Sequence, residues 1–321
     1  MKLDTISLTT STEYIREADK HKFERNIKDK SNGHQMISHS LNANAFGIGN
    51  ASINETFNKV SLTLNSKLLG DNYHLGITLG TINQLVHNLS KEGLDLDPDF
   101  VNECKLKRID VTDDIQITKP YSEYINSLNH LTAPKFTKTA YNTGIVFKEK
   151  LKHHKLYTTF YSKDFQPNND KHFFKKYPEV MKHFDKTLRM ETKLGKGGTI
   201  SKHLNSVMLP EILSAESLNK QVLQKIISKQ DSFPYLYETD EFSIAEEKDL
   251  IYTKYLNEVY NGDREAIKKH LKRKLGKNTK ATYQLNKLDK YLYILNNSKD
   301  NSIKSNIQEL TSSLQESDSG Y

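Results

Sequence analysis

Three short segments within residues 108–194 swap apolar and polar residues with period two, the spacing of a half-buried β-strand. In residues 108–115, Ile109 and Val111 point one way, and Asp110, Thr112 and Asp114 point the other. In residues 155–164, Leu156 and Phe160 oppose Tyr157, Thr159, Tyr161 and Lys163; in residues 188–194, Leu188, Met190 and Leu194 oppose Arg189, Glu191 and Lys193. If these strands share one sheet, one face is core. The other carries carboxylates, tyrosines and a lysine together, a combination suited to a metal-assisted tyrosine nucleophile.

The remaining pattern fits around that sheet. Residues 60–69 alternate as a strand, a turn follows at Gly70-Asp71-Asn72, and residues 74–79 read as its pair. Residues 81–91 and 121–131 carry apolar residues at helical spacing. Residues 144–147 read as a strand that forms a hairpin with the Tyr161 strand. The expected class is α+β, a mostly antiparallel sheet with helices packed on one face and the other face open. An α-helical C-terminal region follows: residues 204–227 and 244–260, then two basic helices at 264–275 and 279–295 that resemble a helix-turn-helix. The expected organisation is an N-terminal segment 1–55 that is hard to read, a catalytic α+β domain 56–200, a helical DNA-binding region 201–295 and a disordered, Ser- and Asn-rich tail 296–321. No internal repeat is visible.

Charge narrows the partner. The chain of 321 residues has a formal net charge of +7, and residues 262–290 alone hold ten Lys/Arg against three Asp/Glu, an excess equal to that of the whole chain. This points to a polyanion. Lys268, Lys269, Lys272, Arg273, Lys274 and Lys280 are the candidate DNA contacts, against the plainer reading of a solvated helix face. No apolar run approaches the roughly 20 residues needed to span a bilayer, so no membrane role is expected. The single cysteine, Cys104, excludes an internal disulfide and fits a reducing compartment.

Several pieces, in order, resemble the filamentous-phage gene II protein family of replication initiators. Residues 108–112 (Arg-Ile-Asp-Val-Thr) resemble that family's Arg-Ile-Asp-Val-Thr strand, and residues 141–147 resemble its Thr-Gly-x-x-Tyr/Phe strand. Residues 155–163 resemble its Lys-x-Tyr-x-Lys segment, residues 188–191 its Leu-Arg-x-Glu strand, and 260–263 with 279–283 its Gly-x-Asp … Thr-x-Tyr tail. The likeness covers residues 100–295 and departs where Asp164 follows Lys163 in place of the usual Glu. It implies a rolling-circle initiator of a bacterial phage or plasmid, working in the host cytoplasm. Such a protein binds double-stranded origin DNA, nicks one strand, holds the nicked single strand by its 5′ end and later reseals it. Host helicase and polymerase would be its further partners.

The chemistry assigns roles. A phenol with a reference pKa near 10 needs help to attack a phosphodiester at neutral pH. Tyr161 is the expected nucleophile, with Tyr157 on the same face as its competitor, and Lys163 the expected catalytic cation. Asp110, Asp114 and Glu191 are expected to hold one Mg²⁺ or Mn²⁺ through oxygen, with Asp113 competing for the place of Asp114. Twelve histidines include no pair two residues apart, which argues against a two-histidine metal motif. Each acidic residue also has an ordinary reading, as a strand residue bonded to Arg or Lys. The rival function is a non-enzymatic replication or repressor protein that binds DNA through the C-terminal basic helices; an RNA-binding sheet is a third possibility.

Overall fold

The strand at the start of the sequence, β1 (Leu3–Ser11), lies at the middle of the sheet. In this computed structural model, which describes residues 1–29, 35–41, 46–131, 133–141, 143–151, 153, 156–165, 170–227, 243–260, 263–275, 285, 287, 288, 290–292 and 299–316, ten strands form one sheet. After β1 come β2 (Ile15–Ala18), β3 (Phe23–Asp29), β4 (Gln35–Leu41), β5 (Ile48–Asn54), β6 (Lys59–Asn65) and β7 (Leu94–Leu96). Then follow β8 (Lys105–Gln116), β9 (Phe136–Tyr141), β10 (Gly144–Glu149), β11 (Tyr157–Ser162) and β12 (Thr187–Leu194). The order across the sheet is β3-β4-β5-β6-β1-β8-β12-β11-β10-β9, all antiparallel, while β2 and β7 form a separate pair.

That order is the same five-stranded pattern used twice. In each half the first strand pairs with the last, and the others follow in reverse: β1-β6-β5-β4-β3 and β8-β12-β11-β10-β9. The halves meet where β1 and β8 run antiparallel, so each covers the edge the other would leave unpaired. The repeat lies in connectivity and not in side chains, which is why the sequence does not display it.

Register follows the alternation. Ile109, Val111, Ile115, Leu188, Met190, Leu194, Ile145, Phe147 and Phe160 are buried on one face, and Leu3, Ile6, Leu8, Leu62 and Leu64 extend that core across β1 and β6. Burying each such side chain contributes roughly 1.5–3 kcal/mol, and a slip of one residue would carry Asp110, Arg189 and Glu191 into the core. Helices bounded within the described residues include α1 (Ile82–Lys91), α2 (Phe100–Glu103), α3 (Tyr121–His130), α4 (Lys171–Lys176), α5 (Gly197–Leu204), α6 (Leu209–Ser214), α7 (Leu218–Ile227), α8 (Ile244–Val259), α9 (Arg264–Leu275) and α10 (Lys299–Glu316). Helices α3, α5, α7 and α10 contact the strands from β8 to β12. The α+β class and the large antiparallel sheet stand as expected.

Several expectations need correction. Residues 1–55 hold five strands. Residues 74–79 are not a paired strand: a 3₁₀ run, Ser66–Leu75, follows β6, and Ile77 makes one bridge to Leu3. The helical stretch 204–227 is broken, because Asn205 ends α5 in the left-handed region and Pro210 opens α6. The second face is only partly open: Tyr73, Phe173, Phe174, Val180 and Phe184 pack as an aromatic cluster beneath it.

The expected disordered tail contains α10. Ile303, Leu310 and Leu314 are buried at helical spacing, and Asn306 links the helix to α3 and its approach: its amide donates to Ser127 Oγ (3.0 Å) and its Oδ1 accepts from Lys119 Nζ (2.7 Å). A low overall apolar content hid a sparse but well-spaced stripe. At the C-terminal side, Leu256, Ile267, Leu271, Leu288 and Leu292 form their own cluster. A helix-turn-helix is not established, because the turn and most of the second basic helix lie outside the described residues. Among the described residues, no helix is long and apolar enough to cross a membrane.

Candidate active site

Alternation along β8, β11 and β12 places Tyr161, Glu191, Lys193 and Asp110 on the face away from the main core. The Tyr161 hydroxyl donates to Glu191 Oε2 at 2.9 Å, and Lys193 Nζ lies 2.9 Å from Glu191 Oε1. Lys193 stands opposite Asp110 in register. Arg108 clamps Asp110 with two bonds, Nε to Oδ1 at 3.1 Å and Nη2 to Oδ2 at 2.6 Å. Thr112 lies opposite Glu191 and two residues from Asp110; its Oγ1 is buried and finds no hydrogen-bond partner among the described residues.

Electrostatics set protonation. Burial drives the Tyr161 phenol well above its ordinary range; Arg189, directly opposite in register, pulls it down, and Glu191 adds to the rise. The phenol is therefore neutral near pH 7, and its proton already points at a carboxylate. Burial also raises Asp110, which Arg108 only partly offsets and Glu191 reinforces. Burial acts to lower Lys193, and Glu191 overcomes it and holds the ammonium above its usual value.

Beneath this ring lies a second layer that fixes it. Arg189 is 1% exposed and forks onto Asp114, with Nε 2.5 Å from Oδ1 and Nη2 2.7 Å from Oδ2. Its Nη1 reaches Asp4 Oδ1 at 3.1 Å, and Lys2 Nζ donates to Asp114 Oδ2 at 2.8 Å. Asp4 falls where the β1–β8 register shifts between Leu3 and Thr5, an irregularity of the kind that re-aims a side chain. Burial opposes ionisation of Asp114, and Arg189 and Lys2 overcome it and hold the carboxyl far below its usual range. Lys163 begins a short 3₁₀ helix after β11. It is 1% exposed, donates to the Tyr73 hydroxyl at 2.6 Å, and lies 4.8 Å and 4.9 Å from the ring centres of Tyr73 and Phe184. Burial, reinforced by Arg189, lowers its pKa well below the usual lysine value.

The structure thus joins Tyr161 to Glu191, leaves Asp110 on the same face but two register rows from Tyr161, and sets Asp114 and Lys163 into the supporting layer. Asp110, Glu191 and the Thr112 hydroxyl are the oxygen groups on this face that could hold a divalent cation. Carboxylate and hydroxyl oxygens suit Mg²⁺, and an ion here would share oxygens that Arg108, Tyr161 and Lys193 already engage. Asp113 faces the opposite side, accepting from Ser217 Oγ (2.9 Å) and Asn219 Nδ2 (2.8 Å). Arg189, Lys193, Arg108, Asp4 and Tyr73 contact these residues and were not among the expected site residues. Alternation already placed Arg189 and Lys193 on the Glu191 face, but the partners from β1 and the 3₁₀ run are distant in sequence.

The basic C-terminal residues divide. Lys269, Lys272, Arg273 and Lys274 are exposed on α9, while Ile267 and Leu271 are buried on its other side. Lys268 lies 3.2 Å from Glu265. Lys280 lies outside the described residues. No family model, curated protein or solved structure matches the chain.

Proposed function

We propose that the protein is a rolling-circle replication initiator that nicks one DNA strand through Tyr161 and reseals it. The observation that carries this reading is the Tyr161 hydroxyl donating to Glu191 beside two outward cations, Lys193 and Arg108. The likeness to the gene II protein family, carried by the same strands, supports it.

In the proposed reaction the Tyr161 oxygen attacks the scissile phosphorus as Glu191 accepts the phenolic proton. The bond to the 3′ oxygen breaks, and that oxygen leaves as a 3′-hydroxyl after taking up a proton. The product is a 5′-phosphotyrosine, which keeps the phosphodiester's energy for resealing by a 3′-hydroxyl. Lys193 and Arg108 face the charge that develops on the phosphoryl oxygens. That role, expected of Lys163, falls to them because Lys163 is enclosed; Arg189 and Lys163 hold the strands in place. A Mg²⁺ or Mn²⁺ ion held by Asp110 and Glu191 would polarise a phosphate oxygen as a Lewis acid.

Origin recognition is assigned to the exposed cations of α9, with double-stranded DNA as partner and the bacterial cytoplasm as the setting. The test is cleavage of supercoiled DNA carrying the sequence beside the protein's own gene. A nicked circle with protein on its 5′ end supports the reading. Specific binding without cleavage would instead favour a non-enzymatic initiator or repressor, a second reading to which α9 contributes the motivating observation.

A further inference from the structure

We infer that a cleft beside the far end of β8 binds a small organic cation, an ammonium group carried on an apolar body, through Asp113. The site stands apart from the nicking reading. It exists because β8 outruns one neighbour. Leu3, at the start of β1, pairs with Val111, whereas β12 on the other side stays paired with β8 as far as Gln116. Where β1 is missing, Asp113 and Asp114 line a cleft of about 590 Å³. That volume lies within the roughly 300–1,000 Å³ range of small-molecule sites.

The walls are apolar and held in place. Leu75 closes the 3₁₀ run, and Leu79 sits on a loop locked by Thr81, whose hydroxyl donates to Gly76 O at 2.7 Å and accepts from Thr78 N at 2.8 Å. Leu213, near the end of α6, also lines the cleft. Leu75 is 40% and Leu79 53% exposed, so two large apolar side chains stand in water at the rim. An apolar ligand body would cover them.

The polar groups decide the ligand's charge. Both cations of the cleft already face acceptors: Lys2 Nζ donates to His74 O at 2.7 Å and to Asp114 Oδ2 at 2.8 Å, and the Met1 nitrogen donates to Leu213 O at 2.6 Å. Asp114 is engaged by Arg189 as well. Asp113 differs. Ser217 and Asn219 both donate to its Oδ2, and its Oδ1 takes no hydrogen bond among the described residues. The cleft therefore calls for a donor. A charged donor is favoured, because charge-assisted hydrogen bonds are roughly twice as strong as neutral ones.

The test is isothermal titration calorimetry of the full chain at pH 8 with phenethylamine, against phenylpropionate, which carries a similar body and the opposite charge. The amine is expected to bind at one site per chain. Asp113→Asn should weaken it about ten- to a hundredfold, the worth of a hydrogen bond to a charged group. Asparagine can still accept from Ser217 and Asn219, so the variant removes the charge and keeps the floor of the cleft. Leu79→Ser, at an exposed loop position, should weaken binding about three- to tenfold and serves if Asp113→Asn does not fold. The proposal is overturned if phenethylamine shows no saturable binding in the millimolar range, if phenylpropionate binds as tightly, or if the folded variants bind the amine like the parent.

Discussion

Arg189 and Asp114 face each other across β12 and β8 and share two hydrogen bonds, 2.5 and 2.7 Å long, with the guanidinium fully enclosed. This pair engages both oxygens of Asp114. Removing the cation would leave Asp114 and Asp4 buried without their main partner. Arg189→Met is therefore expected to cost about 3–5 kcal/mol in urea unfolding, and Arg189→Met combined with Asp114→Leu to recover part of that loss. Equal stability of Arg189→Met and wild type would contradict the assignment.

The two neighbouring aspartates have opposite pH signatures. Asp114 and Asp4 have folded pKa values below 3.8, so their contribution is present above that pH and is lost as pH falls below it. Asp113 is raised by burial from 3.8 to about 6, against the pull of Asn219 and Ser217. Its ionisation therefore reduces stability as pH rises from about 4 to 6, by something on the order of 2–3 kcal/mol. Asp113→Asn should raise the melting temperature at pH 8 and lose that advantage by pH 4. A gain independent of pH would count against this account.

Glu191→Gln keeps the shape but cannot take the phenolic proton. Nicking is expected to fall about 10²- to 10⁴-fold, the usual worth of a positioned base, with DNA binding within a few-fold of wild type. Single-turnover cleavage and a gel shift on the same preparation separate the two effects. Unchanged cleavage would remove Glu191 from the base role.

On α9, neutralising Lys268, Lys269, Lys272 and Arg273 together should weaken duplex binding and flatten its salt dependence by up to roughly 0.9 per lost contact. Intact binding with an unchanged slope would move duplex recognition away from this helix.

Much of this site was legible because strand period and register act locally. Ile109/Asp110, Phe160/Tyr161 and Met190/Glu191 each sort to opposite faces by alternation alone, and that sufficed to put Tyr161, Glu191 and Asp110 on one face. Lys163 defeated the same reasoning because β11 ends at Ser162, so period two no longer applies one residue later. The ion pairs of Asp114 were not legible because its partners, Arg189 and Lys2, lie 75 and 112 residues away, and no local pattern reports such a pairing. In α10, Ser and Asn conceal Leu310 and Leu314, whose burial depends on α3 and α7 being there to receive them. Leu310→Ala should accordingly cost about 2–5 kcal/mol, a loss a disordered tail would not show.

The most direct test of the central claim joins wild-type protein and Tyr161→Phe in one experiment, with 5′-labelled origin DNA, Mg²⁺ or Mn²⁺, and denaturing electrophoresis. The account predicts a covalent protein–DNA band with wild type, mapping to the peptide that contains Tyr161, and none with Tyr161→Phe although it still binds the DNA. A band of equal intensity with Tyr161→Phe would contradict it.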